Sequence, residues 1–489
     1  MEDLKKIIDD INLRSKLFYK NKGNSFSDKW RLNYHLEPPF GLLNDPNGLA
    51  YFKGEYYIFY QWNPYKCEHK DKHWGLVKTK DFIHYSIPKA ILAPDKWYDK
   101  DGCYSGSAIA IGDKLELFYT GNVRDDKGNR ESYQCRASLD QNGALVKKGP
   151  VVDKLPKGYT AHFRDPYIFE KDGKYYFVIG AQLEEKLGRT LLYSSEDLNK
   201  WNFEGEIDTD YKEFGYMWEC PNLFNLEGRD ILIFSPQGLE SEEFRYQNLY
   251  QSGYILGKFD YKTLKFEHGE FRELDLGKDF YAPQVFKDDK NRTIMIGWMG
   301  MPEGEDNYPT KELGWLHCLT MPRELILKGD IIYQIPLKEF ENYRVNLLEE
   351  KKNLICNEWK TDKLKSNSYE LVLEIDSLET KKIELRFFEG KEEYSSLVFN
   401  SEEGIGFLDN NQLTNRVNSI RRFKFDENKI KIHMFVDKSA VEIFLQDGKT
   451  VLSSRIFPEE GSTGLRILSE SNIDIKELKL WSLGEMLYE

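Results

Sequence analysis

Three acids stand in comparable settings along the chain. Asp45 precedes a proline in NDPNG, Asp165 precedes one in FRDP, and Glu219 lies one step further back in WECPNLF. An acid before proline ordinarily starts a turn, and each of the three, taken singly, reads that way. Three at matching positions point instead into one cavity. Carboxyls in unlike surroundings divide the work of acid-assisted glycoside hydrolysis, one giving a proton and another working ionised. Arg164, beside Asp165, is the residue type that holds a neighbouring carboxylate ionised. The apolar pair Met217-Trp218 before Glu219 is the kind of setting that keeps an acid protonated.

The acids must be positioned by repeated elements. DPNGLAYFKGEYYIFYQ begins at Asp45, SGSAIAIGDKLELFYTG at Ser105, DPYIFEKDGKYYFVIGA at Asp165, CPNLFNLEGRDILIFSP at Cys220 and APQVFKDDKNRTIMIGW at Ala282. Each is an apolar strand, a polar turn and a second apolar strand, the pattern of a hairpin. Strand-like pieces between them, such as KTKDFIHYSIPKAIL, would complete a sheet per repeat. Five such units predict a five-bladed β-propeller over residues 29–336, since radial repetition protects sheet edges. The first strand of a blade lines the central channel, which would bring the three acids to its mouth.

Residues 4–20 carry apolar positions at helical spacing and predict a helix in an N-terminal arm, residues 1–28. The hairpin pattern fades near Pro336. LKEFENYRVNLLEEKK reads as a helical or irregular linker, 337–352, and 353–489 alternates as an antiparallel β-sandwich. The fold class expected is therefore all-β.

The bulk composition excludes other roles. The chain has 489 residues, too many for one ordinary core, and a net charge of −13, which argues against general nucleic-acid or membrane-surface binding. Thirty Tyr, thirty Phe and ten Trp suit strands and sugar-stacking surfaces. The charged N-terminus has no apolar signal segment, and the six cysteines are scattered. The expectation is a cytoplasmic protein with reduced thiols.

NDPNG, YSGS (104–107), FRDP (163–166), WEC (218–220) and DFYAPQ (279–284) together resemble the signatures of glycoside hydrolase family 32, and FVDKSAVEIFLQDG is similar to that family's sandwich domain. The resemblance implies that Asp45 is a nucleophile, Glu219 the general acid/base and Asp165 a carboxylate stabilising the transition state. It implies a furanose pocket built from Leu42, Leu43, Asn44, Gln61, Tyr104, Ser105, Arg164, Tyr281 and Trp298. LLNDPNG, with Leu42-Leu43 where many members carry Trp-Met, looks closer to the branch that cleaves sucrose 6-phosphate. The activity implied is retaining β-fructofuranosidase action on sucrose 6-phosphate, and on sucrose, without cofactor or metal. A fructan hydrolase or transfructosylase is the alternative within the family. A non-catalytic propeller lectin and an inverting five-bladed arabinanase or xylosidase are the alternatives outside it.

A phosphorylated substrate needs a local basic site in so acidic a chain. Lys66, His69, Lys70, Lys72 and His73, in the loop after the first hairpin, are the candidates, with Arg130 in DKGNRESYQC as a second choice. CEHKDKH fits no zinc spacing. Cys220 reads as a packing thiol.

Overall fold

Turn chemistry builds the hairpins. Lys53-Gly54, Asp172-Gly173 and Glu227-Gly228 each place two successive residues at positive φ, with the glycine at 84°, 78° and 86°. That is the mirror-image turn whose twist matches a two-stranded ribbon. The computed structural model describes residues 2–25, 28–303, 307–376, 382–415, 419–425 and 427–489. It is almost all strand, in two parts.

In the first part each repeat becomes a sheet whose strands follow chain order. Cys103–Ile111, Lys114–Arg124, Arg130–Asp140 and Leu145–Val152 form one; Tyr159–Lys171, Lys174–Leu183, Gly188–Ser195 and Asn202–Glu206 form the next. The leading strands Gly41–Phe52, Cys103–Ile111, Tyr159–Lys171, Met217–Leu226 and Tyr281–Lys287 touch one another in turn, and the last touches the first. The result is a propeller-like ring. Side chains stitch the leading strands together, two of these bonds between neighbours and the third across the intervening strand Gly41–Phe52. Ser107 Oγ donates to the Pro166 carbonyl at 2.7 Å, Asn222 Nδ2 to that of Pro283 at 3.1 Å, and Gln284 Nε2 to that of Gly106 at 2.9 Å.

All these leading strands lose register at the same place, between Leu43 and Pro46, Cys103 and Gly106, Arg164 and Tyr167, Glu219 and Asn222, and Tyr281 and Gln284. Bulges bend a strand and re-aim its side chains. Asp165, Cys220 and Ala282 sit in these breaks at positive φ, 69°, 48° and 47°. The sequence signature of each repeat is thus the signature of a bulge.

The helix Glu2–Ser25 packs beside the first sheet, with Ile11 fully buried and Ser15 Oγ donating to the Pro88 carbonyl at 2.5 Å. The stretch expected as a linker departs from that reading. A 3-10 turn spans Lys338–Tyr343, and from Arg344 the chain is already strand as far as Thr361, paired along Gly464–Leu483. Its run of Glu and Lys mimics a helix surface, and long-range pairing overrides that local preference.

The second part is the β-sandwich. Gly464–Leu483 crosses between its layers: the first half pairs with Lys382–Glu389, the second with Ser368–Asp376. Leu371, Leu385, Ile443, Ile467 and Leu478 meet in its core. Buried charges lie where sandwich and ring meet. Arg323 donates from Nη2 to Glu442 at 2.6 Å and from Nη1 to Asp275 at 3.0 Å, and His35 lies between Asp437 and Glu442 at 2.9 and 3.0 Å.

Candidate active site

The bulges deliver the three acids to one cavity of about 410 Å³ at the mouth of the ring, within the usual size of small-molecule sites. Asn44, Asp45, Gln61, Tyr104, Ser105, Arg164, Asp165, Glu219, Tyr281 and Trp298 all line it.

Asp45 is held as an acceptor. Asn44 Nδ2 donates to its Oδ1 at 3.0 Å, Ser105 Oγ donates to Oδ2, and the Cys220 thiol approaches Oδ2 at 3.7 Å. Gln61 braces both neighbours: its Oε1 accepts from Asn44 at 3.0 Å and its Nε2 donates to Ser105 at 2.5 Å. Glu219 is gripped from three sides. Arg164 donates to Oε1 from Nε and Nη2 at 2.9 and 2.6 Å, while Gln237 Nε2 and the Tyr281 hydroxyl donate to Oε2 at 2.8 and 2.6 Å. Burial, reinforced by Glu219, pushes the Tyr281 phenol well above its ordinary value and keeps it a donor.

Asp165 is the most buried of the three acids and takes the Cys220 backbone N–H at 3.1 Å. Burial raises it to about 7; Arg164 opposes this, while the charges of Glu219 and Asp45 add to it. The arrangement differs from the sequence reading, which gave Arg164 to its neighbour Asp165. The bulge turns the guanidinium across to Glu219 on the next sheet and leaves it 4.0 Å from Asp165. The three carboxyls thus meet one cavity in unlike surroundings, with Asp165 the one that burial favours in its neutral form.

Two expected pocket residues stay out of the cavity wall. Leu42 and Leu43 have no exposure; Leu42 packs with Tyr308, Leu316 and Phe457, and Leu43 with the core around Tyr60 and Trp62. They precede the bulge, on a strand covered on both faces.

The basic loop divides. Lys72 and His69 reach the cavity: Lys72 Nζ donates to Asn44 Oδ1, and the His69 ring lies 5.6 Å from that of Trp298. Lys66 and Lys70 are exposed outside it. His73 is buried with Nδ1 donating to the Asp71 carbonyl at 2.7 Å. Arg130 does line the cavity. So do His162, Tyr216, Gln237, Tyr250, Pro302 and Glu303, which sequence reasoning missed. Gln237 had one available signal, its place at the end of the strand paired with that of Glu219.

Among the described residues no cluster of His, Cys, Asp and Glu could hold a metal ion. No described helix is long and apolar enough to cross a membrane.

A ring presenting three acids to a sugar-sized cavity, followed by a sandwich, defines a glycoside hydrolase, and comparison with known proteins agrees. The model of the glycosyl hydrolases family 32 N-terminal domain matches residues 35–336 and that of the family's C-terminal domain matches 339–482, so the chain belongs to glycoside hydrolase family 32. It is 45% identical over 442 residues to a sucrose-6-phosphate hydrolase of Bacillus subtilis, covering 89% of this chain and 91% of that one. A sucrose-6-phosphate hydrolase of Staphylococcus xylosus is 41% identical, covering 91% and 90%. Among solved structures, a sucrose-6-phosphate hydrolase from Lactobacillus gasseri superposes with a TM-score of 0.87 at 31% identity, over 99% of this chain and 97% of the other. A family 32 beta-fructofuranosidase from Bombyx mori does so with 0.84 at 31%, over 99% of each.

Proposed function

We propose that this protein is a retaining β-fructofuranosidase that hydrolyses sucrose 6-phosphate, and sucrose, in the cytoplasm. The observation that carries the reading is the pairing of Asp45 and Glu219 in one cavity, each held by a different set of donors. Asp45, its charge supported by Asn44 and Ser105, attacks the anomeric C2 of the fructosyl unit. The bond from C2 to the bridging oxygen breaks as Glu219 gives its proton to that oxygen, and the glucosyl part leaves. Sugar hydroxyls donating to Asp165 favour its carboxylate form, which stabilises the positive charge developing at C2. Water, deprotonated by Glu219, then releases fructose from Asp45. Asn44, Gln61, Tyr104, Ser105, Arg164, Tyr281 and Trp298 surround the fructosyl unit. The names of the relatives above favour the phosphorylated sugar.

In this reading the sheets of the ring are five blades, each with one bulged inner strand. The ring spans 29–336, preceded by the helical arm, and the sandwich begins where the long strand from Arg344 does.

The test is Asp45→Asn. Loss of kcat by several orders of magnitude is expected, because no other group can form the covalent bond. A variant retaining a tenth of the wild-type rate would remove Asp45 from this role.

A further inference from the structure

The cavity lining holds two unlike groups of side chains besides the acids. One is Tyr216, Tyr250 and Glu303, with the Tyr250 hydroxyl donating to Glu303 Oε1 at 3.2 Å. The other is Arg130 and His162, with Arg164 in contact with His162 at 3.0 Å. Resting on the phosphosucrose reading above, we propose that Arg130 and His162 form the corner that recognises the substrate's phosphate, and that the loop 66–73 does not.

The position suits the leaving group. Arg164 binds Glu219 through Nε and Nη2 and His162 through Nη1. The corner therefore lies one guanidinium beyond the acid that protonates the bridging oxygen, on the side where the glucosyl unit must sit. A phosphate on that unit is drawn to these cations and repelled by the carboxylate of Glu303, which also lines the cavity. Lys72 and His69, by contrast, are engaged at the fructosyl end beside Asn44 and Trp298.

Arg130 is set up for an anion. It opens the strand Arg130–Asp140, directly across from Arg124 at the end of a hairpin. Like charges facing across a ladder are unfavourable unless something offsets them. Arg124 donates to the Gly128 carbonyl at 2.9 Å. The guanidinium of Arg130, half-buried over the Tyr104 ring at 5.6 Å, makes no side-chain hydrogen bond or ion pair among the described residues. A guanidinium matches the geometry of a phosphate through two parallel N–H donors.

His162 adds a donor. An arginine N–H only donates, so the 3.0 Å contact from Arg164 Nη1 makes His162 Nδ1 the acceptor and puts the neutral ring's proton on Nε2. Burial, then Arg164 and Arg130, hold the imidazole down to about 4, with Arg124 also lowering it and Glu219 opposing. The neutral ring therefore offers its Nε2 N–H to a phosphate oxygen without any change of charge.

The experiment measures kcat/KM on sucrose 6-phosphate and on sucrose with the same preparations of wild type, Arg130→Ala, His162→Ala and Lys70→Ala. The quantity read is the preference ratio between the two sugars, so turnover of sucrose by each preparation reports that it is folded. Arg130→Ala is expected to lower the ratio by about ten- to a hundred-fold and His162→Ala by about three- to ten-fold, with Lys70→Ala at the wild-type ratio. A wild type with no preference for the phosphorylated sugar would overturn the substrate reading and the corner with it. A wild type that prefers it, with the ratio intact in Arg130→Ala and His162→Ala, would overturn the corner alone.

Discussion

His35 offers the sharpest quantitative test of how ring and sandwich are joined. Its two ring nitrogens face Asp437 and Glu442 at 2.9 and 3.0 Å, with none of the three side chains exposed. Both nitrogens can donate only in the imidazolium form. Burial works against that charge, but the hydrogen bonds to Asp437 and Glu442 outweigh it and raise the group from 6.5 to about 9. That is two and a half units at about 1.4 kcal/mol each, or about 3 kcal/mol of stability linked to the proton. The native value lies above the unfolded one, so the contribution is complete below pH 6.5 and is lost as pH rises through 9. His35→Gln keeps a donor but cannot titrate. Urea unfolding of both proteins between pH 6 and 9.5 should show the stability gap narrowing by about 3 kcal/mol across that window. A constant part of the gap, from altered packing, does not matter to the test. A gap that stays level from pH 6 to 9.5 would show that His35 is not charged in the folded protein.

Glu219→Ala should lose most turnover of sucrose 6-phosphate but much less on a fructoside with a good leaving group, with azide restoring part of the rate by replacing base-activated water; equal losses without rescue would remove Glu219 as acid/base. The two-step route also predicts that the first fructose released is the β-anomer, read by NMR before mutarotation. Initial release of the α-anomer would place the chain among inverting enzymes.

Much of this was legible because the repeat and the chemistry share residues. The dipeptides Asp45-Pro46, Asp165-Pro166 and Cys220-Pro221 mark the bulges, so the pattern that revealed the hairpins also revealed which side chains leave the ladder. What was not legible depended on neighbouring sheets. Arg164 adjoins Asp165 in sequence yet pairs with Glu219, a contact made across 55 residues. Leu42 and Leu43 sit in a motif that otherwise faces the cavity, but only the packing around them shows that both sides of that strand are covered. In the basic loop, charge alone did not separate Lys72, turned inward to Asn44, from Lys70, turned to solvent. The strand from Arg344 was hidden by a composition that suits a helix.

The ring is closed, and each carboxylate hangs from a different wedge of it. A Cβ added to Gly106 would fall 1.9 Å from the Phe118 carbonyl oxygen, and one added to Gly180 would fall 2.1 Å from that of Trp218, the residue before Glu219. The first contact sets the spacing within a wedge, the second the spacing between adjacent wedges. In an open sheet such a misfit would relax toward the free edge. Around a closed circumference it has nowhere to go, and the error is shared by every spacing, including those between the acids. Substitutions should therefore be tolerated by radius and not by distance from Asp45: outer strands and their turns can drift freely, while a single methyl group near the axis detunes all three carboxylates at once.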